Sequence, residues 1–408
     1  MIKTYIKRKY YLDKVIPYIN KDVIKVIVGQ RRVGKSYLLY QLMDLIKNIS
    51  RENYNIIYVN KELREFDDIK DYKDLLSFVK RKSKNRRKSY IFIDEIQEIK
   101  QFEKALRDLN ASGKYDIYCT GSNAKMLSGE LATFLGGRYV QIEVYSLSYP
   151  EFLVFHKLKN NRESFLKYIK YGGLPYLINL KLNDDVVYDY LRNIYSTILF
   201  KDVVSRHGIR NVTFLENLVE YLADNTGSLV SAKKISDFLK SQKVNISPNI
   251  VLDYLSYLTQ AFFVFKVSRS EILGKKIFEI NEKYYFEDLG LRHAVIGYKQ
   301  VDINKILENL VFLHLKISGY KITVGQLGAK EVDFVCEKGG KRLYLQVAYL
   351  IVDKKIQERE FGNLLAIKDN YPKIVVSMDE TAGGEYKGVK HIKVIDFLSR
   401  VDKNAVLC

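Results

Sequence analysis

Residues 29–36 read Gly29-Gln30-Arg31-Arg32-Val33-Gly34-Lys35-Ser36, and what flanks them decides the fold. The stretch matches G-x-x-x-x-G-K-[ST]. An apolar, β-branched run, Ile24–Val28, precedes it, and a helical pattern, Ser36–Lys47, follows. Strand, loop and helix in that order make a phosphate loop. The glycines let the backbone wrap phosphate oxygens, and loop amides plus the helix N-terminus present positive potential to them. Lys35 is expected to reach the β- and γ-phosphates, and the Ser36 hydroxyl to bind Mg²⁺. The candidate nucleotide-binding segment therefore runs Gly29, Gln30, Arg31, Arg32, Val33, Gly34, Lys35, Ser36, Tyr37. Arg31 and Arg32 either touch the nucleotide or couple the loop to a neighbouring element.

Working outward, Tyr90–Asp94 is an apolar strand that ends on two carboxylates, Asp94 and Glu95. On a buried parallel sheet its end lies beside the phosphate loop. Asp94 is then placed to hold the metal shell, and Glu95, pointing the other way, to polarise an attacking water. The next strand ends Cys119-Thr120-Gly121-Ser122-Asn123. Asn123 is the first candidate for sensing the γ-phosphate and Ser122 the second, while a turn-forming Gly-Ser-Asn explains the same residues. Arg138, after Gly136-Gly137, reads either as a charge-stabilising finger or as a surface arginine.

Short apolar strands at Ile24–Val28, Tyr54–Asn60, Tyr90–Asp94, Tyr115–Thr120 and Tyr139–Val144, with helices between the early ones, predict a parallel α/β sheet covered on both faces. From Pro150 to about Arg210 the pattern is helical, broken at Gly172-Gly173-Leu174-Pro175. Ala232–Ser241 and Asn249–Gln260 are predicted helices, the second opened by Ser247-Pro248. Phe262–Val267 and Lys283–Phe286 look like the strands of a wing. A helix after Val301 leads to strands at Ile322–Val324, Glu331–Glu337 and Leu343–Tyr349, with a hairpin turn at Gly339-Gly340.

The 408 residues suggest about three domains. An apolar share of 47% beside 28% charged residues excludes a disordered or collagen-like chain. The net charge is +19, and residues 1–150, with 29 basic against 18 acidic side chains, hold more than half of the excess. Much of it sits in Lys80-Arg81-Lys82-Ser83-Lys84-Asn85-Arg86-Arg87-Lys88, which reads as a solvated loop or as a grip on a nucleic-acid backbone. Compositional drift explains the total charge equally well. Cys119, Cys336 and Cys408 form no CxxC, which points to a reducing, cytoplasmic setting without a zinc site. No run reaches the ~20 apolar residues of a membrane span, so no membrane association is expected.

The stretches GQRRVGKS (29–36), IFIDEIQEIKQFEKALRDL (91–109), TGSNAKML (120–127) and LGGRYVQIEVYSLSYPEF (135–152) together resemble AAA+-superfamily P-loop ATPases of bacteria and archaea with a conserved C-terminal domain of unknown function. The resemblance continues through YGGLPYL (171–177), Lys201-Asp202, EVDFV (331–335) and YLQVAYL (344–350). It implies ATP and Mg²⁺ as ligands and a core with an additional strand and a catalytic glutamate. It further implies an AAA+-type ATPase domain over 1–150, a helical lid or linker over 151–210, a winged-helix-like domain over 211–300 and a restriction-endonuclease-like domain over 301–408. An ATPase of this kind sets three expectations for partners: nucleic acid on the basic run 80–88, a protein on the later modules, or a second copy of the chain.

The residues of the later modules resist the obvious readings. The candidate recognition helix, Ser247–Gln260, has no Lys or Arg and carries Asp253, whereas a helix in the major groove needs donors for bases and cations for phosphates. Its Ile250, Tyr254, Tyr257 and Leu258 predict a core or protein-facing stripe. In the last module Glu308 and Asp333 fit two nuclease acids, but the expected Glu-x-Lys stands as Gln346-Val347-Ala348. Gln is a neutral ligand and Ala has no donor, so the expectation is a module that does not cleave, with an ATP-dependent nuclease as the weaker alternative.

Overall fold

The computed structural model describes residues 5–50, 54–83, 88–124, 135–241, 243–272 and 281–400. The chain divides into two compact units, residues 1–145 with 260–262, and residues 146–259 with 263–408.

The first unit opens with α1 (Lys9–Val15) and is organised by a five-stranded parallel sheet. Its elements are β1 (Ile24–Val28), α2 (Lys35–Ser50), β2 (Tyr54–Asn60), α3 (Tyr72–Lys82), β3 (Lys88–Asp94), α4 (Phe102–Ala111), β4 (Tyr115–Gly121) and β5 (Tyr139–Glu143). The strand order is β2-β3-β4-β1-β5. All five β1 residues are buried, as expected for a central strand covered on both faces. β4 lies between β1 and β3, the additional strand that the resemblance implied. Register then sets the site. Val28 lies opposite Gly121 and Asn60 opposite Asp94, so the ends of β1, β3 and β4 share one edge. The buried Lys25, against Asp116 and over the Tyr118 ring, ties β1 to β4.

The second unit is helical at first: α5 (Tyr149–His156), α6 (Arg162–Tyr171) and α7 (Asp184–Thr197), the last running into a π-helical segment, Ile198–Ser205. Then come α8 (Val212–Asp224), β6 (Leu229–Val230), α9 (Ala232–Ser241), α10 (Pro248–Gln260), β7 (Val264–Val267), β8 (Arg269–Glu271), β9 (Glu282–Phe286) and α11 (Leu289–Ile296). β6, β9 and β7 pair antiparallel in that order. The buried face of α10 is Val251, Leu255 and Leu258. Of the stripe singled out in the sequence, Leu258 is inside, Ile250 is 40% exposed and Tyr257 stacks on His207.

The chain ends in α12 (Ile303–Ile317), β10 (Lys321–Leu327), β11 (Lys330–Lys338), β12 (Lys341–Val347), α13 (Lys354–Leu365), β13 (Lys373–Ser377), β14 (Glu385–Tyr386), β15 (Val389–Lys393) and α14 (Val394–Ser399). With β8 they build a mixed seven-stranded sheet, β14-β15-β13-β12-β11-β10-β8. Gly339 and Gly340, both at positive φ, make the expected turn between β11 and β12. No helix among the described residues is long and apolar enough to cross a membrane.

Candidate nucleotide site

The phosphate loop leaves the buried end of β1 and enters α2. Gly29 stands at φ 152°, and a Cβ there would lie 2.0 Å from the Val144 carbonyl oxygen, so no larger residue fits. Arg32 and Gly34 also have positive φ, 72° and 95°. These turns wrap the loop round the N-terminus of α2, a ready-made anion site. Lys35 is 4% exposed; its ammonium donates to the carbonyl oxygens of Gly29 (3.0 Å) and Gln30 (2.9 Å) and lies 3.7 Å from Glu95 Oε1.

The acidic pair faces this loop from β3. Asp94 accepts from the Thr120 hydroxyl and from Tyr58 (3.4 Å), and the nearby Ser36 hydroxyl draws its carboxyl down. Burial pushes its carboxyl above the usual range despite those donors. Glu95 sits in the left-handed region (φ 55°, ψ 53°), a conformation that an L-residue holds only when its surroundings fix it. Its backbone N–H donates to Thr120 Oγ1 at 2.9 Å. Burial pushes the Glu95 carboxyl up as well, but the Lys35 ammonium, the Gln97 amide and Arg31 outweigh it and hold it below its ordinary value. Two adjacent carboxyls are thus driven apart, the pattern of groups with different chemical tasks.

Ser36 and Asp94, the two expected metal ligands, lie near each other at the start of α2 and the end of β3. One hydroxyl and one carboxylate suit Mg²⁺, which takes few protein oxygens and completes its octahedron with water and phosphate. Among the described residues no group of three or more His, Cys, Asp or Glu side chains is arranged to hold a metal by itself.

Most of the sequence-expected residues converge. Gly29, Gln30, Val33, Gly34, Lys35 and Ser36 form the loop, and Asp94, Glu95, Ser122 and Asn123 stand at the same sheet edge. Asn123 is 8% exposed, and Ser122 is bridged to Glu95 through Gln97 (Gln97 Nε2 to Ser122 Oγ, 3.4 Å). Gln30 is fully buried and donates to the Phe262 carbonyl (3.1 Å), in the 260–262 segment of the same unit. Arg31 is 7% exposed and lies 3.4 Å from Glu62. Arg32 and Tyr37 face solvent.

Arg138 does not join them. Its carbonyl accepts from Ile24 N–H at the start of β1, the opposite edge of the sheet, about 13 Å of strand away from the loop. It therefore supplies no finger to the site of its own chain. Three positioning groups escape a sequence reading. Thr120 serves both acids through one hydroxyl, Gln97 clamps Glu95, and Arg8 reaches the loop from the N-terminal segment.

The basic run begins as the exposed last turn of α3, Lys80, Arg81 and Lys82, where cations offset the helix dipole. Lys88 opens β3, and residues 84–87 lie outside the described residues, as does Cys408.

In the second unit Glu308 (α12), Asp333 (β11) and Gln346 (β12) are brought together as the sequence suggested. Gln346 Oε1 accepts from Asp333 N–H (3.4 Å), and Val347 N–H donates to Asp333 Oδ2 (2.8 Å). The ammonium that Ala348 cannot provide arrives from β9 instead. Lys283, 3% exposed, lies 2.9 Å from Glu308, 2.8 Å from Glu331 and 3.9 Å from Asp333. Burial opposes its charge, but the three acids outweigh that and raise its pKa. Burial and then Glu308 push Asp333 well up. Lys283 is thus the counter-ion of a largely enclosed acidic knot.

Comparison with known proteins places this geometry. An AAA domain model matches residues 21–153, and a model for a domain of unknown function matches residues 162–302. An uncharacterized protein of Haemophilus influenzae is 38% identical over 405 residues, which is 98% of this chain and 100% of that protein. The uncharacterized protein MJ1544 of Methanocaldococcus jannaschii is 32% identical over 381 residues, 88% of this chain and 83% of that protein. Among solved structures, the Aeropyrum pernix ORC1 protein in complex with DNA aligns at a TM-score of 0.32 and 13% identity, over 72% of this chain and 92% of that one. The genome packaging NTPase B204 of Sulfolobus turreted icosahedral virus 2, in complex with ATP-gammaS, aligns at 0.24 and 17%, over 36% and 86%. Those structural scores carry no argument; the matched AAA domain, the strand order and the end-to-end sequence similarity do. The chain belongs to the family of the Haemophilus and Methanocaldococcus proteins, built on an AAA-type P-loop NTPase core.

Proposed function

We propose that the protein is a Mg²⁺-dependent ATPase whose nucleotide cycle drives a conformational switch. The observation that carries this reading is the convergence of Lys35, Ser36, Asp94 and Glu95 on one buried loop, with Lys35 only 3.7 Å from Glu95. The ATP phosphates take over the Lys35 ammonium from the Gly29 and Gln30 carbonyls and accept from the loop amides. Ser36 and Asp94 would hold the Mg²⁺, which would neutralise phosphate charge when bound. Glu95, kept anionic, accepts a proton from the attacking water as the bond from the γ-phosphorus to the ADP oxygen breaks. Asn123 senses the γ-phosphate. Arg138, at the far sheet edge of its own chain, acts only if a homo-oligomer presents it to a neighbouring copy.

The switch acts on the second unit, read as a helical lid (151–210), a winged-helix-like domain (211–300) and a restriction-endonuclease-like domain (301–408) that does not cleave. The first reading of its output is nucleic acid held by the basic run 80–88, in the cytoplasm. A protein partner is the alternative, favoured by α10, which has no cation and exposes Ile250 (40%) and Leu252 (51%). The test is ATP turnover with and without single-stranded and duplex DNA at low and moderate salt. Salt-sensitive stimulation supports the first reading. Turnover indifferent to DNA rejects it in favour of the second, and absence of turnover under every condition rejects the ATPase itself.

A further inference from the structure

The N-terminal segment before α1 is stitched to the phosphate loop. Gln41, on α2 and 4% exposed, accepts from the Arg8 backbone N–H (2.9 Å) and donates to the Ile6 carbonyl (3.2 Å). That clamp delivers the Arg8 side chain, itself 3% exposed, into the unit. Its guanidinium lies over the Tyr11 ring, 4.4 Å from the centroid. Its Nη1 donates to two carbonyl oxygens, Val33 in the phosphate loop (2.9 Å) and Tyr145 just beyond β5 (2.9 Å). What Arg8 fixes is a peptide plane. The Val33–Gly34 peptide is trans and planar, so its N–H points opposite to its C=O. Anchoring the Val33 oxygen on Arg8 turns the Gly34 N–H away from Arg8. Gly34, at φ 95°, is free to swing unless something holds that plane. We propose that Arg8 is a positioning residue of the nucleotide site: by holding the Val33 carbonyl it aims the Gly34 N–H at the diphosphate that ADP and ATP share. This rests on the nucleotide-binding reading above. It makes the N-terminal segment part of the site without contact between Arg8 and nucleotide.

The test is the affinity of the full chain for ADP and for ATP, by titration calorimetry, in the wild type, Lys35→Ala, Arg8→Met and Arg8→Lys. Met keeps the apolar stem over Tyr11 and loses both donors. Arg8→Met is expected to weaken ADP and ATP alike, about ten-fold, and Arg8→Lys about three-fold, since an ammonium restores part of the donation. Hydrogen exchange at the Gly34 amide should quicken in Arg8→Met, which a role in bulk stability alone would not single out. Affinities within two-fold of wild type in a folded Arg8→Met overturn the inference. Should that variant fail to fold, Arg8→Lys decides, and wild-type affinity there overturns it equally. A wild type that binds neither nucleotide defeats both this inference and the reading beneath it. Binding lost in Lys35→Ala but untouched by Arg8 substitutions defeats this inference alone.

Discussion

Replacing Thr120 by Val tests how the acidic pair is held. The two side chains have nearly the same shape, so the change removes a hydroxyl and little packing. That hydroxyl does two things at once: it accepts the Glu95 backbone N–H (2.9 Å) and donates to Asp94. Thr120 is fully buried, so water does not replace it. Leaving a buried N–H without a partner costs about 1–3 kcal/mol, and a hydrogen bond to a carboxylate contributes about 1.5–3 kcal/mol. Asp94, already above its usual range, rises further, which offsets part of the second figure. A net loss of about 3 kcal/mol follows, which for a unit near 150 residues lowers the melting temperature by roughly 6–12 °C. The strained Glu95 backbone loses its anchor as well, so turnover should fall by at least ten-fold while ADP affinity changes little. Thr120→Ser keeps the hydroxyl and should stay within about 1 kcal/mol of wild type. Calorimetric melting and an ATPase assay on the three proteins decide it. A Thr120→Val melting temperature within 1 °C of wild type, with normal turnover, refutes the reasoning.

Other perturbations probe other parts. Lys283→Met strips the counter-ion from Glu308, Glu331 and Asp333; breaking a pair this enclosed costs about 3–5 kcal/mol, discounted because Glu331 is one-third exposed. Melting of the second unit should fall at pH 7.5 and recover in part at pH 5, and an unchanged melting curve rejects the counter-ion role. Burial raises the Asp288 carboxyl to about 6, against 3.8 for an unburied one. The folded state then binds this proton more tightly than the unfolded one, so the contribution of Asp288 to stability is full below pH 4 and is lost towards pH 6, roughly 3 kcal/mol in all. Asp288→Asn should flatten that slope in urea titrations at pH 4, 5, 6 and 7, and an identical slope in the variant argues against it. Neutralising the cations of 80–88 should lower the salt slope of DNA binding by about 0.9 for each phosphate that they pair with. An unaltered slope removes the basic run from any nucleic-acid interface.

The sheet was legible because each strand is a continuous apolar run and each boundary carries a signal. β1 and β2 have the expected bounds, β4 and β5 differ by one residue at one end, and α2 begins at Lys35 and runs on to Ser50. The loop and acidic pair were legible because their chemistry is local in sequence. What was not legible depends on contacts between distant segments. Arg8 and Val33 are 25 residues apart, Thr120 and Glu95 also 25, and Lys283 and Glu308 likewise. Each meets its partner only through register and helix packing, and an Arg, a Thr or a Lys in an apolar context has no spacing signature. Arg138 shows the converse. Its Gly-Gly-Arg setting invites a functional reading, but pairing of its carbonyl with Ile24 commits it to the other end of the sheet. On α10 the sequence left a core and a protein-facing reading open, and the core is filled by Val251, Leu255 and Leu258 while Ile250 stays exposed.

The central claim is that Lys35 binds phosphate and Glu95 activates water. The most direct measurement is ATP affinity and steady-state turnover, with Mg²⁺, of the wild type, Lys35→Ala and Glu95→Gln. The account predicts tight binding and turnover for the wild type, loss of both in Lys35→Ala, and near wild-type ATP affinity with turnover reduced at least a hundred-fold in Glu95→Gln. Wild-type turnover in Glu95→Gln, or undiminished ATP binding in Lys35→Ala, would contradict it.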